Sequence, residues 1–341
     1  METSGIPAPL SVLDLAPVSS GSSPADALAH SIELARVAER LGYRRFWVAE
    51  HHNMVGVASS SPPVLLAHIA SRTTSIRLGS GGVMLPNHAS LTIAEQFGML
   101  EALHPGRIDL GLGRAPGTDL PTVRALRRHL PTATSDEFPR QIGELLGFFG
   151  AGFPPEHPYA TITAVPAHGY QPALWILGSS DYGAKLAGLF GLPFAFAHHF
   201  APENLHLALE RYRDNFRPSS ALEAPYAMVT TAALVAPSDE EADWLAGPAR
   251  LNVLRIRTNR RDVLASPEEA AAYRYSPEEK LAVRQWTASH FVGSPSTVRH
   301  GLARLVKETE ANEIMVSTSA HAFADRCRSL ELLSGFPAER R

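Results

Sequence analysis

Residues 76–114 read IRLGSGGVMLPNHASLTIAEQFGMLEALHPGRIDLGLGR, and this stretch decides the fold. It opens on an apolar, β-branched run, Ile76 to Leu85, which predicts a strand. Ile93, Phe97 and Leu100 then recur at helical spacing and predict a helix from Ser90 to Leu103. The turn His104-Pro105-Gly106-Arg107 delivers the next strand, Arg107 to Gly113. Strand, helix, strand is the repeat of a parallel sheet.

The same alternation extends in both directions. Upstream, strands are predicted at Leu10 to Ala16 and Arg45 to Glu50. Ser23-Pro24 and Ser61-Pro62 each pair a capping hydroxyl with proline at the first helical position, so a helix follows each. Downstream, strands at Ala173 to Leu177, Phe194 to Ala197, Tyr226 to Val235 and Glu313 to Val316 alternate with helices. These helices cover Asp181 to Phe190, Pro202 to Asn215 and Pro295 to Lys307, with others starting at Ser238, near Pro277 and near His321. Eight parallel strands are the number that closes a (β/α)8 TIM barrel. The rival, an open doubly wound sheet, lacks its G-x-G-x-x-G fingerprint, because neither Gly79–Gly82 nor Gly111–Gly113 completes it.

Two excursions interrupt the rhythm. Residues 114–171 follow the fourth strand and contain one helix, near Ser135 to Phe149, then the stretch GFPPEHPYATITAVPAHGY. Residues 250–277 follow the seventh strand and carry Arg250, Arg255, Arg257, Arg260 and Arg261. Both leave from the C-terminal face of the barrel, where active sites of this fold sit.

Composition narrows the function. Of 341 residues, 45% are hydrophobic and 19% charged, an ordinary globular balance. A net charge of −3 gives no field for nucleic acid. The single Cys327 has no internal disulfide partner, no apolar run reaches membrane length, and METSGIPAPL lacks signal-peptide character; a cytoplasmic protein is expected.

The strand ends carry the chemistry. Glu50-His51-His52 ends the second strand, Gly81-Gly82 and then VMLPNH the third, and Gly113-Arg114 the fourth. Gly178-Ser179-Ser180 ends the fifth, and His198-His199 the sixth. A zinc barrel would present two histidines on one side of a strand, as H-x-H; adjacent histidines diverge, so one of each pair is expected to face the mouth. No metal site is expected. Gly178-Ser179-Ser180 enters a helix directly, and free amides at a helix start suit a phosphate, with Arg114 on the neighbouring strand as a second donor. A serine cap and a surface arginine are the plainer alternative. Gly81-Gly82 marks either the close approach of a flat ligand or a bulge.

The segments LSVLDLAPV, RFWVAEHHN, IRLGSGGVMLPNH, AEQFGMLEALHPGRIDLGLGRAPGTD, LWILGSS and GLPFAFAHHF, in this order, resemble the luciferase-like flavin monooxygenases. The resemblance implies one luciferase-like barrel domain over 1–341, which uses reduced FMN and O2 to oxygenate a small organic substrate. It places the flavin phosphate at Arg114, Gly178, Ser179, Ser180 and Tyr182, and a non-proline cis peptide at Gly81-Gly82. It makes His51 the catalytic histidine, and His198 or His199 a contact to substrate or flavin. A separate reductase and a homodimer are expected. Gly113 and Gly178 stand where light-emitting luciferases carry a reactive cysteine and an acidic residue, which argues against light emission. A deazaflavin-dependent hydride transferase, a flavin-binding protein without turnover and a metal-dependent barrel hydrolase are the alternatives. Mutual repulsion of the five arginines in 250–277 predicts a lid that orders over bound flavin.

Overall fold

The computed structural model describes residues 5–115, 117–127 and 137–335. Ten strands occur among them: β1 Leu10–Asp14, β2 Arg45–Val48, β3 Arg77–Ser80, β4 Val83–Met84, β5 Ile108–Gly113, β6 Ala173–Gly178, β7 Phe194–Ala197, β8 Ala227–Val235, β9 Phe291–Gly293 and β10 Glu313–Ser317. The hydrogen-bonded order β10-β1-β2-β3-β5-β6-β7-β8 is closed by a β8–β10 pairing, and every pairing is parallel. The chain is therefore a (β/α)8 TIM barrel. Val83–Met84 adds a short pairing to β5, and Phe291–Gly293 extends the end of β8.

Burial on both faces explains why the strands read as apolar runs. All four residues of β2 are buried. Arg45 and Trp47 point into the barrel, while Phe46 and Val48 join the layer between strands and helices. The interior near the start of β2 is ionic. Arg45 donates to Glu313 at 2.7 Å and to Asp109 at 2.7 Å, and Arg77 reaches the other Asp109 oxygen at 2.6 Å. Trp47 Nε1 and Tyr226 Oη donate to Asp109 and Glu313 at 2.9 and 2.8 Å. Above this layer the interior turns apolar, with Leu13, Trp175, Ala195 and Met315 against Trp47.

Several local expectations change. The third strand is not continuous to Leu85: it breaks at a cis Gly81–Gly82 peptide, and Leu85–Asn87 is a 3-10 turn. Ser23 caps its helix through the Asp26 amide, but Ser61 makes no side-chain cap. The first excursion contains a further helix, Leu120–Leu126, beside Glu137–Leu146; the expected start of the latter at Ser135 lies outside the described residues. The second excursion is helical, with Gly247–Arg257, Pro267–Ala272 and then Pro277–Trp286 around a small core of Leu251, Leu254, Ala265, Ala270 and Val283. The mutual repulsion expected of the five arginines is reduced but not removed, because three of them have carboxylate partners. Arg250 pairs with Asp243, Arg255 with Asp262 and Arg261 with Asp119, Arg260 meets the Tyr273 hydroxyl, and Arg257 lies over the Trp286 ring.

Candidate active site

At the C-terminal ends of the strands lies a cavity of about 260 Å3. Alternation along β2 supplies one wall: Trp47, Ala49 and His51 all line it, two residues apart. The chain then folds back, so that the His51 amide donates to Ser59 O at 3.0 Å and Ser59 Oγ to Ala49 O at 2.5 Å. This holds the His51 backbone, yet the ring Nδ1 is buried without a hydrogen-bond partner. Burial lowers its pKa; the Glu50 charge opposes this, and His52 and His199 add to it. His51 is thus a neutral imidazole with a nitrogen uncommitted to the protein, the condition for taking up or releasing a proton.

Of the other sequence-predicted residues, Gly81, Gly82, Arg114, Gly178, Ser179, Ser180, Tyr182 and His199 line the same cavity. His198 does not. It is 8% exposed, turns toward Thr231 Oγ1 at 3.4 Å, and burial with the neighbouring His199 and His206 takes its pKa down to about 4. Diverging side chains at adjacent positions send one histidine of the pair behind the wall. His199 Nδ1 sits 2.9 Å from Thr230 O, and since a carbonyl only accepts, Nδ1 carries the proton and Nε2 is the accepting nitrogen.

The anion end is built from two elements. Ser180 has extended backbone at the start of helix Asp181–Phe190, and its side chain makes no capping hydrogen bond, so the plain serine-cap reading does not hold. Gly178 and Gly183 back this turn closely: a Cβ on Gly178 would meet the Phe194 ring at 3.3 Å. Arg114 directly follows β5, with its guanidinium 4.2 Å from the Tyr182 ring centroid and no carboxylate partner among the described residues. Gly82 is demanded by the barrel itself, because a Cβ would meet the backbone Gly111 O at 2.9 Å, whereas a Cβ on Gly81 would press on Leu13 Cδ1 at 2.6 Å. The floor between these ends is apolar, from Leu13, Trp47, Leu177 and Met315. An apolar floor with cationic and amide donors at one end fits a flat ring bearing a phosphate.

One contributor, His290, escaped sequence reasoning, and so did the partners of Glu50. Glu50 is buried and turned away from His51; it accepts from His52 Nε2 and His88 Nε2, each at 2.8 Å, and from the Met84 amide at 3.0 Å. Burial raises its pKa, but the two imidazoles and that amide outweigh it and the net shift is downward. Glu50 therefore fixes the chain just after Gly81–Gly82. His290, before β9, lines a second chamber that adjoins the first. Burial, with His199 and Arg250 nearby, takes its pKa to about 4. Among the described residues no group of His, Cys, Asp or Glu has the geometry to hold a metal, and no helix is long and apolar enough to cross a membrane.

A closed (β/α)8 barrel with a cavity at the strand C-termini has the architecture of a barrel enzyme. The luciferase-like monooxygenase family profile matches residues 9–313. A luciferase-like monooxygenase of Escherichia coli (strain K12) is 48% identical over 322 residues, covering 94% of this chain and 95% of its own. The N-acetyl-S-alkylcysteine monooxygenase of Bacillus subtilis (strain 168) is 34% identical over 328 residues, covering 95% and 97%. The crystal structure of apo-MsnO8 superposes with a TM-score of 0.89 at 38% identity, covering 96% of this chain and 97% of the other. The chain belongs to the luciferase-like monooxygenase family. At the level of fold alone it also resembles the FMN complex of a 3,6-diketocamphane monooxygenase component from Pseudomonas putida, with TM-score 0.70, 20% identity and coverage of 96% and 97%. An F420-dependent secondary alcohol dehydrogenase shares that fold with TM-score 0.67, 16% identity and coverage of 97% and 98%.

Proposed function

We propose that this protein is a flavin-dependent monooxygenase that takes reduced FMN from a separate reductase and uses O2 to oxygenate a small organic substrate. The observation that carries the reading is one cavity holding both the Arg114–Ser180 anion end and the neutral His51. Reduced FMN would supply the electrons that activate oxygen. Arg114, Ser179, Ser180 and the first amides of helix Asp181–Phe190 would hold its phosphate, and Tyr182 would orient Arg114 by stacking. Leu13, Trp47 and Met315 would seat the ring and keep water from it. His51 would exchange a proton with the reacting centre, and His199 Nε2 would accept a hydrogen bond there. Exposed Val64 on helix Pro62–Ala70, with Met99 and Leu103 on the neighbouring helix Ser90–Leu103, supports a homodimer, which sedimentation would test.

The deciding experiment is anaerobic titration with FMN, reduced FMN and the reduced deazaflavin coenzyme. Saturable FMN binding, and O2-dependent decay of the reduced flavin coupled to substrate oxidation, are expected. Binding of the deazaflavin alone would replace this reading with hydride transfer.

A further inference from the structure

We infer that the chamber beside the flavin cavity binds an organic anion with an apolar body, and that Arg257 is the residue that selects the anion. The inference rests on the monooxygenase reading, since it names the substrate class of that site. The chamber measures about 600 Å3 and shares His51, His199, Phe200 and Leu15 with the first cavity, so the two are contiguous. Its further walls come from the barrel rim and from the second excursion: Leu234 and Val292 on one side, Val253, Ile256 and Trp286 on the other. These surfaces match an apolar body.

The charge in the chamber has one sign. Among the described residues its lining contains Arg250 and Arg257 and not one aspartate or glutamate. Arg250 is already neutralised by Asp243 at 2.6 Å. Arg257 is not: its guanidinium stands 5.6 Å over the Trp286 ring, with no carboxylate partner among the described residues. A cation–π contact leaves the guanidinium donors open, and those donors match a carboxylate in a bidentate fork. Arg257 lines only the second chamber. An acid group held there lets the apolar remainder reach the shared wall of His51, His199 and Phe200, where the reaction would occur. A neutral substrate of the same shape would lose this contact, and a cation would be repelled.

The test uses the full chain and a matched pair of probes, 6-phenylhexanoate and its neutral amide, with binding measured by calorimetry with and without FMN. Wild type should bind the acid roughly five- to tenfold more tightly than the amide in low salt, the range for a partly solvated charged hydrogen bond. The preference should shrink in 0.5 M salt, where the Debye length falls to about 4 Å and the partly solvated pair is screened. Arg257→Gln should bind both probes alike, and Arg257→Lys should keep part of the preference, which covers the case where the glutamine variant folds poorly. Equal binding of acid and amide by wild type, no binding of either, or an acid preference that survives Arg257→Gln would overturn the inference. FMN affinity, measured on the same samples, reports separately: if FMN fails to bind while Arg257 still governs the acid preference, the flavin reading falls and the anion chamber stands.

Discussion

At the level of single residues, Arg114 and His51 should separate cleanly. If the proposed function holds, Arg114→Ala removes a charge-assisted partner of the FMN phosphate, and because Arg114 lies exposed at the rim the expected loss is about 1.5 kcal/mol, roughly tenfold in FMN affinity. Riboflavin, which lacks the phosphate, should bind both forms alike; an equal loss for riboflavin would remove Arg114 from the phosphate site. His51→Ala should lower turnover while leaving FMN affinity nearly intact, followed by stopped-flow absorbance, and unchanged turnover would shift the proton role to His199. The histidines also set an acid limit on stability. His51, His198, His199 and His290 all have lowered pKa values, with His198 and His290 near 4. Below the ordinary value of 6.5 the unfolded chain binds protons that the folded chain resists, so stability should fall as pH drops from about 6.5 toward 4. His198→Gln should recover roughly 1–3 kcal/mol of that loss in urea unfolding at low pH. The placement of His51 was legible, because it follows Trp47 and Ala49 at a period of two. The partnership of Glu50 with His88 was not, since it spans 38 residues of sequence and depends on how the chain turns after Gly81–Gly82.

At the level of elements, the caps, glycine stops and apolar periods of the sequence placed every strand of the barrel, and the helix Ser90–Leu103 to its residues. What they could not place were pieces stabilised by distant partners: Leu120–Leu126, which buries none of its own residues, and Phe291–Gly293, which exists by pairing with β8. The two excursions are joined by one contact invisible to local pattern. Arg261 bridges to Asp119 at 2.7 Å and donates to Asn53 O at 2.7 Å, and Asn53 donates to Asp119 at 2.8 Å. Asp119 is held well below the usual carboxylate range, first by the Thr122 amide and hydroxyl and then by Arg261 and Asn53. Arg261→Ala should speed amide exchange in Leu120–Leu126 and in 258–265 by about two- to fivefold, with helix Pro277–Trp286 unchanged. Unaltered exchange in Leu120–Leu126 would mean that other contacts hold the excursions together.

For the whole molecule, the ionic layer inside the barrel is its most sensitive part. Asp109 accepts from Arg45, Arg77 and Trp47 with no exposed surface. Burial pulls the Arg45 pKa down, but Asp109 and Glu313 outweigh it and the guanidinium stays charged. Asp109→Ala should therefore destabilise the fold by roughly 3–5 kcal/mol, because it strands buried cations. Urea midpoints would measure this; a loss near that of an ordinary surface substitution would show that Glu313 alone satisfies both arginines. The sealing strand has a different kind of consequence, set by the order in which a ribosome makes the chain. Glu313, which answers Arg45, Ser11 and Tyr226 at once, belongs to the last strand, and that strand alone pairs with both β1 and β8. Until it emerges, a nascent chain carries two open sheet edges and an arginine short of one of its acids, so the barrel cannot close before that strand has been made. Premature termination anywhere before residue 313 should thus yield a product fit for chaperones and proteases, and no shortened enzyme.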